Sequence, residues 1–328
     1  MEVIQSTSWL DPEHPNYLRW KKSRELSIER GKFVYSVINQ QLQTKNLTVL
    51  DLGSGEGGTS KVFSDNNLVV SFDLSLLRLQ RQKESVIPSE TTNKHSEINL
   101  RHFDPDLSGE KSESNNIKDF SVEHSFEMTS AKSSSILSGV NGTALQLPFS
   151  DQSFDLIIIQ DVIEHLSDTN QFYKEISRVL KINGNIYLST PNKLSIFNFI
   201  ADPHFGLPII SLLKRESIKK YFLKYFRAND YHRSDIAELL SLNKIKNLFN
   251  NDFEFTLNTK FSVQQLFNGN KGIVWSNFHL KLIAFCKIIK LDKLILKLSN
   301  DRPGLINKYF TPTFYLMLKR KQITNNLN

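Results

Sequence analysis

The sequence contains Val49-Leu50-Asp51-Leu52-Gly53-Ser54-Gly55-Glu56-Gly57-Gly58 and, ten residues further on, Val69-Val70-Ser71-Phe72-Asp73. In the first segment an apolar run gives way to a glycine-dense turn, and in the second an apolar run ends on a carboxylate. Glycines let the backbone approach a ligand closely, and a strand, such a turn, a helix and a second strand are typical of a nucleotide-binding unit. We therefore expect Asp73 to accept hydrogen bonds from the ribose hydroxyls of a nucleotide-like ligand.

Apolar runs and helical patterns alternate along the rest of the chain. The predicted strands are Thr48–Leu52, Leu68–Asp73, Val140–Ala144, Phe154–Ile159, Asn185–Thr190, Asp252–Thr259 and an antiparallel last strand over Thr311–Lys319. The predicted helices cover Tyr17–Gln43, Thr59–Ser64, the residues after Ser75, the stretch from Ser167 or Asp168 to Asn183-Gly184, and Ser234–Asn250. This alternation predicts an α/β fold with a doubly wound, mainly parallel sheet of seven strands.

Four polar residues fall where predicted strands end: Asp51, Asp73, Thr143 and Asp161. Ligands on doubly wound sheets bind outside the carboxyl ends of the strands, beside the point where the strand order reverses. The convergence of these residues predicts one ligand site along that edge of the sheet.

Composition is that of a globular protein, with 328 residues of which 39% are hydrophobic and 23% charged. The single cysteine, Cys286, excludes an internal disulfide and a multi-cysteine zinc site, and no metal site is predicted. The N-terminus lacks the layout of a signal peptide, and no apolar run reaches the roughly 18 residues that span a bilayer. We therefore expect a cytoplasmic protein, with peripheral membrane contact as the alternative.

The chain is predicted to have three parts. Residues 1–47 form a helical lead-in, residues 48–190 the ligand-binding core, and residues 191–328 a basic part that completes the sheet and carries helical insertions. Residues 1–189 hold 19 Lys/Arg against 25 Asp/Glu, a net charge of −6, whereas residues 190–328 hold 22 against 9, a net charge of +13. An insertion at about 88–137 contains 11 serines and few large apolar residues, so we expect it to be mostly disordered.

Four segments, in order, resemble the class I S-adenosylmethionine-dependent methyltransferases, in the branch that includes the ubiquinone and menaquinone biosynthesis enzymes (methyltransferase type 11). Asp51–Gly57 fits the D-x-G-x-G-x-G loop of that family, and Leu147–Asp155 is similar to its L-P-F-x-D-x-S-F-D segment. Val162–Leu166 and Arg178–Lys181 match two further stretches. The glycine loop alone would also satisfy the dinucleotide G-x-G-x-x-G pattern, so the resemblance rests on all four segments.

The resemblance implies a Rossmann-like methyltransferase fold, S-adenosylmethionine as the cofactor and a methyltransferase activity (EC 2.1.1.-). The residues that it places at the cofactor are Asp51, Gly53, Ser54, Gly55, Asp73, Leu74, Thr143, Ala144, Leu145 and Gln160. The sequence departs from the family at Thr143, where the family has Asp, and in the Lys181-Ile182-Asn183-Gly184 turn, where it has Lys-Pro-Gly-Gly.

Methyl transfer from a sulfonium is an in-line displacement with an excellent leaving group, so alignment and desolvation supply much of the catalysis. A general base is needed only where the acceptor must lose a proton. His165 and Asp161, which follow the predicted fourth strand, and His204, in a loop after the fifth, are the candidate bases. The structural alternatives are helix capping or packing for His165 and turn formation around His204. Tyr17 and Arg30 of the lead-in helix are further candidates for a ligand contact.

The basic part leaves the acceptor open. Its insertions, residues 191–233 and about 262–309, are expected to form a helical lid over the substrate opening, and a small-molecule or sugar-type acceptor is the leading hypothesis. The amphipathic stretch Asn277–Leu298 supports the alternative of a lipid-linked or isoprenoid acceptor at a membrane surface. In this stretch Lys290, Lys293 and Lys297 are predicted to lie opposite Leu282, Phe285 and Ile289.

Two other classes of function are weighed against methyl transfer to a small acceptor. One is a protein that binds S-adenosylmethionine without catalysis. The other is nucleic-acid binding, which is disfavoured because Gln160-Asp161-Val162-Ile163 stands where base-amino methyltransferases have an Asp/Asn-Pro-Pro-aromatic segment.

Overall fold

The computed structural model describes residues 25–86, 101–102, 137–232, 235–273 and 277–321, together with the single positions 13, 17, 18 and 21. Its strands form one sheet in the spatial order β3-β4-β2-β1-β5-β6-β8-β7. They are β1 (Thr48–Leu52), β2 (Leu68–Asp73), β3 (Arg101–His102), β4 (Leu137–Asn141), β5 (Phe154–Gln160), β6 (Leu180–Pro191), β7 (Phe253–Leu257) and β8 (Thr313–Arg320). The strands pair in parallel except for β8, which is antiparallel to both β6 and β7. The seven predicted strands and the antiparallel last strand are confirmed, and the sheet gains an eighth strand, the two-residue β3, that was not predicted.

The strand order reverses between β1 and β5. From β1 the chain proceeds through β2 to β4 on one side, and then returns to β5 and β6 on the other. The crevice at such a switch point lies at the carboxyl ends of the strands, which here are the ends at Leu52, Asp73 and Gln160.

The helices lie between and beyond these strands. They are α1 (Ser27–Ile38), α2 (Gly58–Ser64), α3 (Leu76–Val86), α4 (Thr169–Val179), α5 (Ile196–Ile200), α7 (Leu242–Phe249), α8 (Thr259–Phe267), α9 (Asn277–Ile288), α10 (Leu291–Leu298) and α11 (Leu305–Tyr309). We call α6 the continuous run of Arg215–Ser217, Ile218–Leu223 and Lys224–Phe226, whose middle part has π geometry. No helix within the described ranges has the length and apolar composition to cross a membrane.

Alternation along the central strands divides the apolar core between the two faces of the sheet. Leu50 and Leu52 of β1 point to a cluster that includes side chains of α4 and α7. Val49, between them, belongs to the opposite cluster, which includes Phe33 of α1. Because both faces are covered, the central strands are apolar on consecutive residues, as the sequence indicated.

Four predicted boundaries are wrong. The strand that was predicted over Val140–Ala144 is β4, which ends at Asn141, so Thr143 and Ala144 lie in the loop after it. The helix that was expected to end at Asn183-Gly184 ends at Val179, and β6 begins at once with Leu180. Asn183 has a φ of 67°, and the pairing of β5 with β6 is irregular between Phe154 and Leu156. The Asn-Gly pair therefore marks extra residues in a strand and not the end of a helix.

The other two corrections concern the basic part. The stretch Asn277–Leu298 is not one helix, because Lys290 takes a φ of 60° between α9 and α10. The helix predicted over Ser234–Asn250 is confined to α7, and residues 235–239 have no regular structure. The predicted disorder of 88–137 concerns residues that, apart from Arg101, His102 and Leu137, lie outside the described part of the chain.

The N-terminal helix is held to the glycine-loop unit by direct backbone contact. A Cβ atom on Gly58 would lie 2.2 Å from the carbonyl carbon and oxygen of Ser27, and one on Gly31 would lie 2.6 Å from the Gly58 oxygen. Only glycine permits this approach, so α1 and α2 cross without intervening side chains.

Gly58→Ala should therefore destabilise the protein by about 1–3 kcal/mol, because the added methyl group must push two backbones apart. Urea denaturation measures the change. Gly304→Ala is the matched control, since a Cβ there meets nothing within 4 Å, and it should change stability by less than about 0.5 kcal/mol. Equal midpoints for the two variants would show that the crossing is looser than described.

Candidate active site

The glycine loop lies directly after β1. Gly53, Gly55 and Gly57 have positive φ angles of 73°, 56° and 76°, which L side chains rarely adopt. The Gly53 amide donates to the Phe72 oxygen at 2.7 Å. A Cβ on Gly53 would lie 2.3 Å from Val162, so the loop is packed tightly against the chain that follows β5.

The Asp73 carboxylate holds this loop in place. Its Oδ2 accepts from the Gly55 amide at 2.8 Å, and its Oδ1 accepts from the Ser75 amide at 2.8 Å. The residue is 4% exposed, and burial raises the pKa of its carboxyl group. Since a carboxylate oxygen accepts more than one hydrogen bond, both oxygens keep capacity for a ribose hydroxyl.

Asp51 lies at the base of the same unit and points into the protein. Its Oδ2 accepts from the Ser60 hydroxyl at 2.5 Å, and Ser60 in turn accepts from the Ser71 hydroxyl at 2.6 Å. Burial raises the pKa of Asp51 to about 6, and the nearby charge of Asp73 adds to the shift. These contacts tie β1, α2 and β2 together.

Gln82 of α3 is a loop-positioning residue that the sequence analysis missed. Its Nε2 donates to the Gly55 oxygen at 2.7 Å and to the Ser54 hydroxyl at 3.0 Å. A Cβ on Gly57 would lie 2.6 Å from the Gln82 side chain, so that glycine makes room for it. One glutamine in a polar helix carries no distinctive sequence signal.

Four of the residues expected at the cofactor follow β2 and β4. Leu74 is exposed, whereas Thr143, Ala144 and Leu145 are partly buried, and the Leu145 amide donates to the Thr143 hydroxyl at 3.3 Å. Asn141, also missed, joins the two strand ends, because its Nδ2 donates to the oxygens of Asp73 at 3.0 Å and Leu74 at 2.9 Å.

The end of β5 carries two further predicted residues. Gln160 Nε2 donates to the Thr59 hydroxyl at 2.6 Å, which links β5 to α2. Asp161 has a φ of 52°, and its carboxylate pairs with Arg30 of α1 at 3.1 Å. Burial raises the pKa of Asp161, while the charges of Arg30 and His165 act against that shift. The lead-in helix therefore contributes Arg30 to this edge of the sheet.

The third group of residues combines two predicted histidines with a glutamate that the sequence analysis did not single out. The rings of His165 and His204 meet edge to face, with centroids 5.1 Å apart. Glu164 is 1% exposed, and its Oε2 accepts from the Thr190 hydroxyl at 2.9 Å. Burial raises the pKa of Glu164 to about 8, and the charge of Asp161 adds to the shift. We call Glu164, His165 and His204 the Glu-His-His cluster.

A methyltransferase domain family model matches residues 116–188. The match includes β4, β5 and α4 and ends on β6. It does not reach the glycine loop, which the insertion separates from it in the sequence.

Curated relatives match further parts of the chain. A probable S-adenosylmethionine-dependent methyltransferase of Mycolicibacterium smegmatis is 42% identical over 55 residues, which are 17% of this chain and 21% of that protein. A demethylmenaquinone methyltransferase of Lactobacillus johnsonii is 30% identical over 130 residues, 37% of this chain and 48% of that protein. The chain thus spans about a fifth of the first relative and about half of the second.

Similar solved structures include phosphoethanolamine N-methyltransferase 2 of Haemonchus contortus in complex with S-adenosyl-L-methionine. It is 15% identical with a TM-score of 0.49, and the alignment covers 98% of this chain and 60% of that one. The YcgJ protein of Bacillus subtilis is 16% identical with a TM-score of 0.42, over 90% of this chain and 98% of that one.

The raised pKa of Asp51 makes a testable contribution to stability. The pKa of Asp51 in the folded protein, about 6, exceeds the usual 3.8, so the folded state holds this proton more tightly than the unfolded chain does. The resulting stabilisation is complete below pH 3.8 and is lost as the pH rises through 6. Asp51→Asn removes this loss while keeping an oxygen for Ser60. The stability of the variant relative to the wild type should rise by about 3 kcal/mol between pH 4 and pH 7.

Urea denaturation of the cofactor-free protein at several pH values measures this difference. Asp65→Asn, at an exposed position after α2, is the control and should follow the wild-type profile. Parallel profiles for Asp51→Asn and the wild type would contradict the assignment.

Proposed function

We propose that the protein is a class I methyltransferase that transfers a methyl group from S-adenosylmethionine to a small-molecule or sugar-type acceptor. The match of residues 116–188 to a methyltransferase domain and the methyltransferase relatives support this proposal. The observation that carries the proposal is the contact between Asp73 and the Gly55 amide. It holds a positive-φ glycine loop and a buried acid side by side at the carboxyl ends of β1 and β2. S-adenosylmethionine requires both features next to each other, because its methionine moiety would lie against the loop backbone while its ribose hydroxyls donate to the acid.

In this proposal the cofactor lies over the ends of β1, β2 and β4. Gly53, Ser54 and Gly55 present their backbone to the methionine and ribose moieties, and Asp73 accepts from the ribose hydroxyls. Thr143, Ala144 and Leu145 border the adenine. Gln160, held by Thr59, lines the pocket beside them.

The acceptor enters from the β5 and β6 side. Asp161, which pairs with Arg30, and Glu164 and His165 lie after β5, and His204 joins them from the first insertion. A nucleophile at this side can approach the methyl group in line with the carbon–sulfur bond. The first insertion borders this side, because Arg215 of α6 donates to the backbone oxygens of Glu164 at 3.1 Å and Leu166 at 2.8 Å. Phe205, Ile210 and Phe222 give the insertion an apolar core of its own, as a helical lid requires.

Isothermal titration with S-adenosylhomocysteine tests the cofactor assignment. The wild type should bind it, and Asp73→Ala should weaken binding by at least roughly 30-fold, which corresponds to about 2 kcal/mol for lost charge-assisted hydrogen bonds. Asp65→Ala is the control at an exposed site and should bind like the wild type. Binding of NADH without any response to S-adenosylhomocysteine would overturn the proposal.

A second candidate, a lipid-linked acceptor at a membrane surface, is favoured by the exposed face of α9. Leu282 is 48% exposed, Phe285 56% and Ile289 51%, whereas Ile283 and Cys286 face the protein. Lys290, Lys293 and Lys297, at the break after α9 and on α10, are also exposed. Exposed apolar side chains next to lysines are typical of helices that lie on anionic lipid.

Co-sedimentation with vesicles that contain anionic phospholipid tests this candidate. The wild type should sediment with the vesicles, and replacement of Lys290, Lys293 and Lys297 by Glu should abolish sedimentation, because three attractive charges become repulsive. The same replacement at the exposed Lys61, Lys244 and Lys246 is the control and should leave it unchanged. Retained sedimentation of the first triple variant would exclude the surface.

A further inference from the structure

We infer that the Glu-His-His cluster is a binding site for one divalent transition-metal ion of the zinc class. The side chains of Glu164, His165 and His204 each offer one ligand atom, and these atoms all lie within 4.8 Å of one another. Ligand atoms around a tetrahedral zinc ion at 2.0–2.1 Å are roughly 3.4 Å apart, so the three atoms need to approach one another by at most about 1.4 Å to hold the ion.

The buried carboxylate supplies the strongest observation. Glu164 Oε2 accepts from Thr190, but Oε1 is buried and has no hydrogen-bond partner among the described residues. A buried acceptor without a partner is costly, and an ion bonded to Oε1 would remove that cost. One carboxylate oxygen of Glu164 lies within 4.8 Å of a ring nitrogen of each histidine, and imidazoles are the ligands that zinc, iron and nickel favour.

The histidines are prepared for this role by their surroundings. His165 Nδ1 lies 2.6 Å from the Asp235 oxygen, and a carbonyl oxygen can only accept, so the proton is on Nδ1 and the Nε2 lone pair can bind an ion. His204 is fixed by Asp202, whose Oδ1 accepts from the amides of His204 at 2.8 Å and Phe205 at 2.9 Å. Bonding of the second ring nitrogen to a carbonyl is the usual arrangement for metal-binding histidines.

The backbone that carries Glu164 and His165 is also held from several sides. The backbone carbonyl oxygen of Glu164 accepts from the Glu238 amide at 2.8 Å and from the Arg215 guanidinium at 3.1 Å. The cluster therefore joins the turn after β5, the end of β6 and the first insertion. Two imidazoles and one carboxylate disfavour Mg²⁺ and Ca²⁺, which prefer oxygen ligands, and leave a coordination position open.

The open position gives the ion a role that rests on the proposed function. An acceptor hydroxyl bound there would lose its proton to solvent more readily, because a metal ion lowers the pKa of a bound oxygen. The oxygen would then form a bond to the methyl carbon as the carbon–sulfur bond breaks, and S-adenosylhomocysteine would leave as a neutral thioether. The site therefore selects acceptors with a hydroxyl group.

Titration of EDTA-dialysed, untagged full-length protein with ZnCl₂ tests the site. The wild type should bind one ion per chain, and both Glu164→Gln and His204→Ala should bind it at least about tenfold more weakly, the loss usual even for outer-shell partners of metal ligands. His232→Ala, at an exposed histidine, is the control and should bind like the wild type. With Co²⁺, the visible absorption of a site with nitrogen and oxygen ligands should appear in the wild type and be lost in His204→Ala.

Absence of binding to the wild type, or wild-type affinity in both variants, would overturn the inference. His204→Ala decides the matter if Glu164→Gln does not fold, because His204 lies on a partly exposed loop. Titration of the same samples with S-adenosylhomocysteine separates the two proposals. Zinc binding without cofactor binding would refute the proposed function and leave the metal site, and the reverse result would refute the metal site alone.

Discussion

Two backbone amides converge on the carboxylate of Asp73, and the arrangement of the proposed cofactor side depends on that convergence. One amide comes from the glycine loop after β1 and the other from the start of α3. Because the acid is buried, its hydrogen bonds face little competition from water, and the loop has a defined position before any ligand arrives. Gln82 supports the loop from the opposite side, so the backbone that meets the ligand is fixed by side chains that do not need to move.

The proposed acceptor side is assembled from parts of the chain that lie far apart in sequence. Arg30 comes from the N-terminal helix, Glu164 and His165 from the turn after β5, and His204 from the first insertion. Their meeting place is set by the carboxyl edge of one sheet, where β5 and β6 run side by side. The geometry of this side therefore depends on long-range packing, whereas the cofactor side is largely the work of one short β-loop-α-β unit.

This difference explains what the sequence could predict. The glycine loop, β2 and β5 were placed within a residue or so, because buried parallel strands are apolar throughout and a glycine turn is distinctive. The pair Asn183-Gly184 led to a wrong helix end, because a residue with positive φ occurs at an irregularity in a strand as well as at the end of a helix. The break at Lys290 carried no Gly or Pro signal. Glu164 escaped notice because only the fold brings a histidine 40 positions away beside it.

The glycine crossing of α1 and α2 has a mechanical consequence. Flexible side chains between two helices would absorb a small displacement of one against the other, but backbone in contact with backbone transmits it. A displacement of the helix that carries Arg30 therefore requires the helix that follows the glycine loop to shift with it. Gly31 and Gly58 in this way connect the helix whose arginine pairs with Asp161 directly to the helix that follows the glycine loop.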